Sequence, residues 1–458
     1  MTSYKTVNPA TGETLKEFDE LTTEGVTDVL DRSHRAFLSW RDTPVEERSR
    51  VLARVAELYA ERKQELSELT TLEMGKPVRQ SGFEMDICQD IFAYYADKGP
   101  SFLADEELDV AQGGRAVVRK EAIGSLVGIM PWNFPHYQVA RFAAPNLMLG
   151  NTVILKHAPN CPQNALAMEQ LFRDAGLPAD AYINVFATND QIADMIADPR
   201  VQGVSLTGSE RAGSAVAEIA GRNLKKVVLE LGGSDPFIVL DAPDLDATVK
   251  QATGARLVNG GQACNAAKRF IVLEDVYDEF VEKLSASLGA VTPGDPTNPK
   301  TFVGPLSSTG AVDTLLEQID DAVTKGATLR TGGKRIDEAG AWVQPTVLTD
   351  VTPEMRAYSE ELFGPAAVVY RVASADEAVE LANTSPYGLS GSVWSGDADK
   401  AAEVADRLDV GMAFVNEHGT TAADLPFGGV KRSGVGRELA QYGMDEFVNK
   451  KLVRVTRR

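Results

Sequence analysis

The chain reads as an α/β protein built on a parallel, doubly wound sheet, and three observations predict it. From Gly124 onward, short apolar runs at 125–130, 152–155, 182–186 and 201–206 alternate with helical stretches at 139–149, 165–172 and 191–196. Strands separated by helices at that spacing require right-handed crossovers and hence a parallel sheet. A second α/β series follows 227–231, with strands at 270–273 and 366–370 and helices at 276–288 and 310–325. At 458 residues the chain is also too long for one ordinary domain.

The segment 24–104 precedes these series and reads as amphipathic helices. In Arg50-Val51-Leu52-Ala53-Arg54-Val55-Ala56-Glu57-Leu58-Tyr59 the apolar positions recur at helical spacing. Two remaining pieces, 115–123 and 446–455, alternate polar and apolar residues and are expected to be exposed strands. Unpaired edges of that kind find partners in another subunit. No linker, internal repeat or low-complexity segment marks a boundary, and the division between the two α/β series is set near Leu231.

Hydrophobic residues make up 43% and charged residues 24%, the balance of a globular enzyme. A formal charge of -20 repels phosphate backbones and anionic lipid, so no nucleic-acid or membrane partner is expected. The basic end at 454–458 reads as solvated charge. The start, Met1-Thr2-Ser3-Tyr4-Lys5, lacks the apolar run of a signal peptide, and no stretch approaches the roughly 20 apolar residues that span a bilayer. A cytoplasmic location is expected. Cys88, Cys161 and Cys264 form no CxxC or metal-ligand spacing, and His34, His136, His157 and His418 form no HExxH, so no metal site is expected.

Three strings carry chemistry. In Asn259-Gly260-Gly261-Gln262-Ala263-Cys264-Asn265-Ala266-Ala267-Lys268-Arg269 a glycine-rich bend presents one cysteine just before a strand, where a thiolate can attack an aldehyde. In Val227-Val228-Leu229-Glu230-Leu231-Gly232-Gly233-Ser234 a carboxylate interrupts an apolar strand. Burial there raises its proton affinity toward the range of a general base. In Pro131-Trp132-Asn133-Phe134-Pro135 an amide stands at the end of an apolar strand, where open parallel sheets place their ligands and where Asn133 can donate to a developing oxyanion.

In this order the three strings closely resemble the aldehyde dehydrogenase superfamily, across essentially the whole chain. Further strings strengthen the likeness: Lys156 after a strand, Leu206-Thr207-Gly208-Ser209 leading into a helix, Glu360-Glu361-Leu362-Phe363-Gly364-Pro365, and Pro426-Phe427-Gly428-Gly429-Val430-Lys431-Arg432-Ser433-Gly434. The resemblance implies a Rossmann-like cofactor domain at 1–113 and 127–231. It also implies a second α/β catalytic domain at 232–437 and a small β oligomerisation domain at 114–126 and 438–458, in a homodimer or homotetramer. It gives Cys264 the role of nucleophile, Glu230 that of base, and Asn133 with the Cys264 N–H that of oxyanion hole. A thiohemiacetal can expel hydride where a planar carbonyl cannot, and a base that activates water favours a free acid as product.

No GxGxxG fingerprint occurs, and Gly208-Ser209-Glu210-Arg211-Ala212-Gly213 lacks the Lys of a P-loop. The resemblance instead places the pyrophosphate at the start of the helix near Ser209, Glu361 and Lys156 on riboses, and Phe363 near the nicotinamide. The cofactor set it implies is Pro131, Trp132, Lys156, His157, Ala158, Pro159, Asn160, Gly208, Ser209, Leu231, Gly232, Glu361 and Phe363. Many NAD-preferring relatives carry a Glu at the place of Pro159. Its absence removes a repulsion against a 2′-phosphate, with Lys156 as the pairing cation and His157 or Asn160 as added donors, so NADP is expected and NAD is the fallback.

The strings from Phe134 to Phe142 and from Leu155 to Asn160 look most like those of succinate-semialdehyde dehydrogenases. The expected substrate contacts are Arg141, as a fork for a carboxylate, with Gln138, Phe134 and Phe427. The alternative is a broad-specificity dehydrogenase for aliphatic or aromatic aldehydes. A protein that kept the fold and lost the activity is disfavoured, because Cys264, Glu230 and Asn133 are all present. Some relatives carry a second cysteine after the nucleophile that forms a regulatory disulfide. Here Asn265 and Ala266 follow, so no such switch is expected.

Overall fold

The computed structural model describes residues 4–111, 113–336 and 339–456. The first three residues and the basic pair at 457–458, both part of the termini read from the sequence, lie outside the described residues. A hairpin of β1 (Lys5–Val7) and β2 (Thr14–Glu17) opens the chain, followed by helices α1 (Thr23–Trp40), α2 (Val45–Glu61), α3 (Lys63–Met74) and α4 (Val78–Phe102). The expected amphipathic segment is there. In α1, Val26, Val29, Leu30 and Phe37 bury one face, and the Thr22 hydroxyl caps the first turn by accepting from the Gly25 N–H at 3.1 Å.

Next come β3 (Glu106–Leu108), β4 (Arg115–Ala122), β5 (Ser125–Met130), α5 (Tyr137–Leu149), β6 (Thr152–His157), α6 (Pro162–Asp174), β7 (Tyr182–Asn184), α7 (Asn189–Ala197), β8 (Val201–Thr207), α8 (Glu210–Arg222) and β9 (Lys226–Glu230). The second half holds β10 (Asp235–Val239), α9 (Leu245–Leu257), β11 (Ala267–Leu273), α10 (Glu274–Gly289), α11 (Thr309–Thr324), β12 (Thr328–Thr331), β13 (Thr346–Thr349), α12 (Arg356–Ser359), β14 (Ala366–Val372) and α13 (Ala375–Asn383). The chain ends with β15 (Tyr387–Gly388), β16 (Ser390–Trp394), α14 (Ala398–Ala405), β17 (Met412–Val415), β18 (Val430–Lys431), β19 (Gly434–Val435), α15 (Gly443–Glu446) and β20 (Val448–Val455).

The first α/β series forms a sheet of order β19-β9-β8-β5-β6-β7, in which β5 to β9 are parallel and only β19 runs against them. After β5 the chain winds outward through β6 and β7, then crosses back to β8 on the other side. A crevice therefore opens between the carboxyl ends of β5 and β8. Helix α5, buried at every position, lies under that crevice and ends on Gly150, whose φ of 105° turns the chain into β6. Its apolar face joins Trp40, Tyr59, Phe92 and Phe172 in the largest core cluster.

The second series forms a sheet of order β12-β13-β14-β11-β10-β16-β17, parallel except for β12. The sequence reading missed β10, β12, β13, β16 and β17. Central β10 is fully buried and carries no period-2 alternation, so nothing in its polarity distinguishes it from a buried helix segment. The pieces at 115–123 and 446–455 are strands as expected, but not two unpaired ones. β4 and β20 pair with each other along their whole length, from Arg115↔Val455 to Ala122↔Val448, and β3 covers the other side of β4. The outer edges of β20 and of the short β3 are left without partner strands among the described residues.

Candidate active site

The crevice between β5 and β8 is floored by the residues just past each strand end: Pro131, Trp132 and Asn133 after β5, Gly208 and Ser209 after Thr207 of β8. Ser209 caps α8, its hydroxyl accepting from the Ala212 N–H at 3.4 Å. These residues, with Leu231, Gly232, Glu361 and Phe363, line a cavity of about 300 Å³ that ends at Cys264. Trp132 and Phe363 meet edge to face across it at 5.8 Å. A second cavity, of about 250 Å³, approaches Cys264 from the other side between Phe83, Phe134, Tyr137 and Phe427, with Gln80, Gln138, Asn265, His418 and Thr421 as its polar wall. Cys264 and Gln138 line both.

A turn in the left-handed region presents the thiol. Asn259, Gly260 and Gly261 have φ of 50°, 62° and 76°. At Gly261 a Cβ would run into the Gly364 carbonyl, which is why the bend is glycine-rich. The Asn259 side chain fixes the turn against the other sheet by donating to the main-chain oxygen of Asn133 at 2.8 Å. Asn133 answers with one amide hydrogen to the Gln262 carbonyl at 3.1 Å, leaving its second for the cavity it lines. Behind this contact Glu84 accepts from the His136 and Tyr137 N–H groups at 2.8 and 3.0 Å, capping α5, which has no side-chain cap of its own. Glu84 pairs with buried Lys76, whose ammonium lies 3.6 Å from the Phe134 ring centroid.

Glu230 stands at the end of β9, 2% exposed, with Oε1 unpartnered and turned toward Gly428. A Cβ on Gly428 would come within 2.8 Å of that oxygen. Burial pushes the Glu230 carboxyl well above the usual range; Arg141 opposes this and Glu438 adds to it. Its side chain lines neither cavity, so work on a water at Cys264 requires rotation about its own χ angles. Burial likewise pushes the Cys264 thiol up to about 12, against a downward pull from Arg141 and Lys268.

Two sequence expectations need correcting. Arg141 offers no open fork at an entrance. It is 1% exposed, ion-paired to Glu438 at 2.7 Å, bonded to Gln138, and covered by the rings of Tyr137 and Phe427, 4.8 and 4.1 Å from its guanidinium carbon. It reaches the cavities only through other side chains, Gln138, which it bonds directly and which lines both, and the Tyr137 hydroxyl 3.4 Å away. His157 is not a free donor either. It is fully buried against the Pro135 carbonyl at 3.0 Å, and burial drives its pKa down to about 4.

Lys156, by contrast, is 9% exposed, and its ammonium lies 5.7 Å from the Tyr4 ring with no hydrogen bond or ion pair among the described residues. The Thr207 hydroxyl is buried without a partner. A lysine with no carboxylate partner and an unpartnered hydroxyl beside a helix N-terminus fit an anionic dinucleotide. Ala158 is buried at the turn after β6, Pro159 and Asn160 are half-buried, and the Pro159 carbonyl is held by the Lys5 N–H at 3.0 Å. Phe134, Gln138 and Phe427 line the aldehyde-side cavity as expected. Sequence reasoning missed the 418–421 loop, which has no chemical signature, and the Lys76–Glu84 pair, whose two charges look like solvated helix residues until α4 is seen buried.

Comparison with known proteins agrees. The model of the aldehyde dehydrogenase family matches residues 1–453. The chain is 58% identical to a succinate-semialdehyde dehydrogenase [NADP(+)] of Deinococcus radiodurans, over 98% of this chain and 94% of that one. It is 44% identical to succinate-semialdehyde dehydrogenase [NADP(+)] 1 of Mycobacterium tuberculosis, over 98% of each. The crystal structure of the Streptococcus pyogenes succinic semialdehyde dehydrogenase in complex with NADP+ superposes with a TM-score of 0.97 at 43% identity, covering 99% of this chain and all of that one. The chain belongs to the aldehyde dehydrogenase family.

The raised Cys264 thiol has a direct consequence. Without cofactor, alkylation by iodoacetamide should climb about tenfold per pH unit from pH 7 to 10, because only the thiolate reacts and its fraction grows until the pKa is reached. Peptide mass spectrometry at Cys264 reads the rate. A plateau by pH 9, near the ordinary thiol value of about 8.5, contradicts the effect of burial.

Proposed function

We propose that this chain oxidises succinate semialdehyde to succinate with NADP, through a covalent intermediate on Cys264. The observation that carries the reading is that two separate cavities, one apolar with a polar wall and one edged by a helix N-terminus, meet at a single thiol. The Cys264 thiolate attacks the aldehyde carbon. The oxygen becomes an alkoxide that accepts from the free Asn133 N–H and the Cys264 main-chain N–H. Bound between Trp132, Ser209, Glu361 and Phe363, NADP would supply the acceptor for the hydride that leaves as the thioester forms. Water then attacks the thioester while Glu230, after rotating from Gly428 toward the thiol, takes the water's proton. The acid departs as Cys264 leaves as the thiolate that began the cycle, and Glu230 gives its proton up to solvent.

In this reading Lys156 and Asn160 serve the adenosine ribose and its 2′-phosphate beside Pro159, and Pro131, Gly208, Leu231 and Gly232 shape the walls around the diphosphate and nicotinamide. Residues 1–113 and 127–231 form the cofactor domain, 232–437 the catalytic domain, and 114–126 with 438–458 an oligomerisation domain. Exposed Leu452 and Val455 on the open β20 edge support a homo-oligomer. The three free cysteines suit the reducing cytoplasm. A second reading, a broad-specificity aldehyde dehydrogenase, is favoured by one observation: among the described residues no Lys or Arg lines the aldehyde-side cavity. The substrate carboxylate is instead met by the Tyr137 hydroxyl, Thr421 and Gln80, with the Arg141 charge acting through Tyr137.

An initial-rate panel of succinic semialdehyde, benzaldehyde and propanal separates the two readings. Succinic semialdehyde should lead in kcat/KM by more than tenfold (about 1.4 kcal/mol), and Arg141→Ala should raise the KM for succinic semialdehyde far more than for the neutral aldehydes. Equal rates for all three favour the broad enzyme.

Covalent catalysis is tested in two variants. Cys264→Ala should bind NADP and show no turnover. Glu230→Gln should keep a pre-steady-state burst of reduced cofactor while its steady state drops by about 10²-fold or more. Turnover without the thiol sinks the mechanism, and a burst lost together with the steady state assigns Glu230 another role.

For the cofactor, kcat/KM with NADP should exceed that with NAD, and Pro159→Glu should move the ratio toward NAD by placing a carboxylate against the 2′-phosphate. A wild type that uses NAD at least tenfold better (about 1.4 kcal/mol) refutes the reading of Pro159.

A further inference from the structure

Lys268, the second residue of β11, is a buried charge for which the proposed reaction has no use. It is 1% exposed. Its ammonium donates to the main-chain oxygens of Ala263 at 2.9 Å, Cys264 at 2.8 Å and Ala266 at 3.3 Å, and lies 3.2 Å from Oε1 of Glu361. The three carbonyls belong to the turn that presents the thiol. The carboxylate belongs to the wall of the cofactor-side cavity, on a segment nearly a hundred residues further along the chain.

Glu361 is held in a particular attitude. Oε1 takes Lys268 and the Gly233 N–H, the latter at 3.1 Å, while Oε2 lies over Gly232, where a Cβ would approach it to 2.6 Å. Gly232 and Glu361 line the same cavity, so one carboxylate oxygen is fixed by protein donors and the other is left at the cavity wall. Three carbonyls alone do not require a cation, since water or an amide satisfies them. The added carboxylate makes the arrangement a single charged unit that spans the nucleophile turn and the cofactor wall. The thiol also feels both charges, Lys268 favouring its ionised form and Glu361 disfavouring it.

We propose that Lys268 is a positioning residue that couples cofactor occupancy to the nucleophile, by holding the Cys264 turn and Glu361 in one hydrogen-bonded unit. A ribose hydroxyl that donates to Oε2 draws charge off the carboxylate, loosens its hold on Lys268, and strengthens the ammonium's grip on the Cys264 turn. The inference rests on the reading of Cys264 as nucleophile and of Glu361 as a ribose contact.

The test compares the full-length wild type with Lys268→Met and Lys268→Arg in the alkylation of Cys264 by iodoacetamide at fixed pH, with and without saturating NADP+ and with no aldehyde. NADP+ should change the wild-type rate by about tenfold or more and the Lys268→Met rate by less than about twofold, with Lys268→Arg in between. In turnover, Lys268→Met should lose about 10²-fold in kcat. A full NADP+ response in Lys268→Met overturns the proposal, and so does a wild-type thiol indifferent to NADP+. Should Lys268→Met fail to fold, Glu361→Gln reads the same coupling from the other side, and it too must lose the response. Glu361→Gln with an unchanged KM for NADP+ points to a different failure, that of the ribose assignment, and the proposal falls with it. Turnover by Cys264→Ala likewise removes the nucleophile assignment.

Discussion

One hydrogen bond organises the centre of the molecule: the Asn259 amide reaching the main-chain oxygen of Asn133 at 2.8 Å. Asn133 lies just past the end of β5 in the first sheet, and Asn259 starts the turn that leads into β11 of the second. The two sheets are separately wound, and each brings a crevice of its own. With the return bond from the Asn133 amide to the Gln262 carbonyl, this one closes the wall the two cavities share. It is made between buried groups, where an unpaired amide or carbonyl costs roughly 1–3 kcal/mol, so the junction is maintained by the penalty for opening it. The thiol, the oxyanion donor and both cavities take their places from that closure.

Around it the protein tolerates a concentration of charge that a simple core would avoid. Lys76 with Glu84, Arg141 with Glu438 and Lys268 with Glu361 are all largely withdrawn from water. Such pairs seldom add net stability over well-packed apolar residues. Here each sits against a turn whose direction matters: the start of α5, the rings of Tyr137 and Phe427, and the nucleophile bend. Their common effect is rigidity at three supports of one site. Glu230 is the exception, a carboxyl whose Oε1 has no partner, and it is the group that the proposed chemistry requires to move.

Most of the first sheet was legible because its strands are short, apolar and separated by helices with clear periodicity. Cys264, Glu230 and Asn133 were legible for a different reason: each breaks the local rule of its surroundings, a carboxylate in an apolar strand or a thiol after a glycine-rich bend. The second sheet was only half visible. β10 and β16 are buried on both faces and have no alternation to betray them. Arg141 and His157 show the opposite error. Residue type alone suggested ligand contacts, but polarity does not say which way a side chain points, and both spend their donors on protein partners. The aldehyde-side loop at 418–421 reaches the site through tertiary packing alone, which no local pattern encodes.

The closing strand of the small three-stranded sheet has a consequence for order in time. β20 is the last strand of the chain, yet it is hydrogen-bonded along its full length to β4, and Asn449 meets Glu121 from 328 positions away. During synthesis β4 emerges with one side open and waits for the long intervening segment before its neighbour exists. Contacts that distant close late, since the entropy of joining remote segments must be met first. A nascent chain of this protein thus exposes an adhesive strand edge until β20 has been made. A ribosome that stalls or terminates early releases a product in which the first sheet can wind but that edge stays open, the form most apt to stick to its own kind.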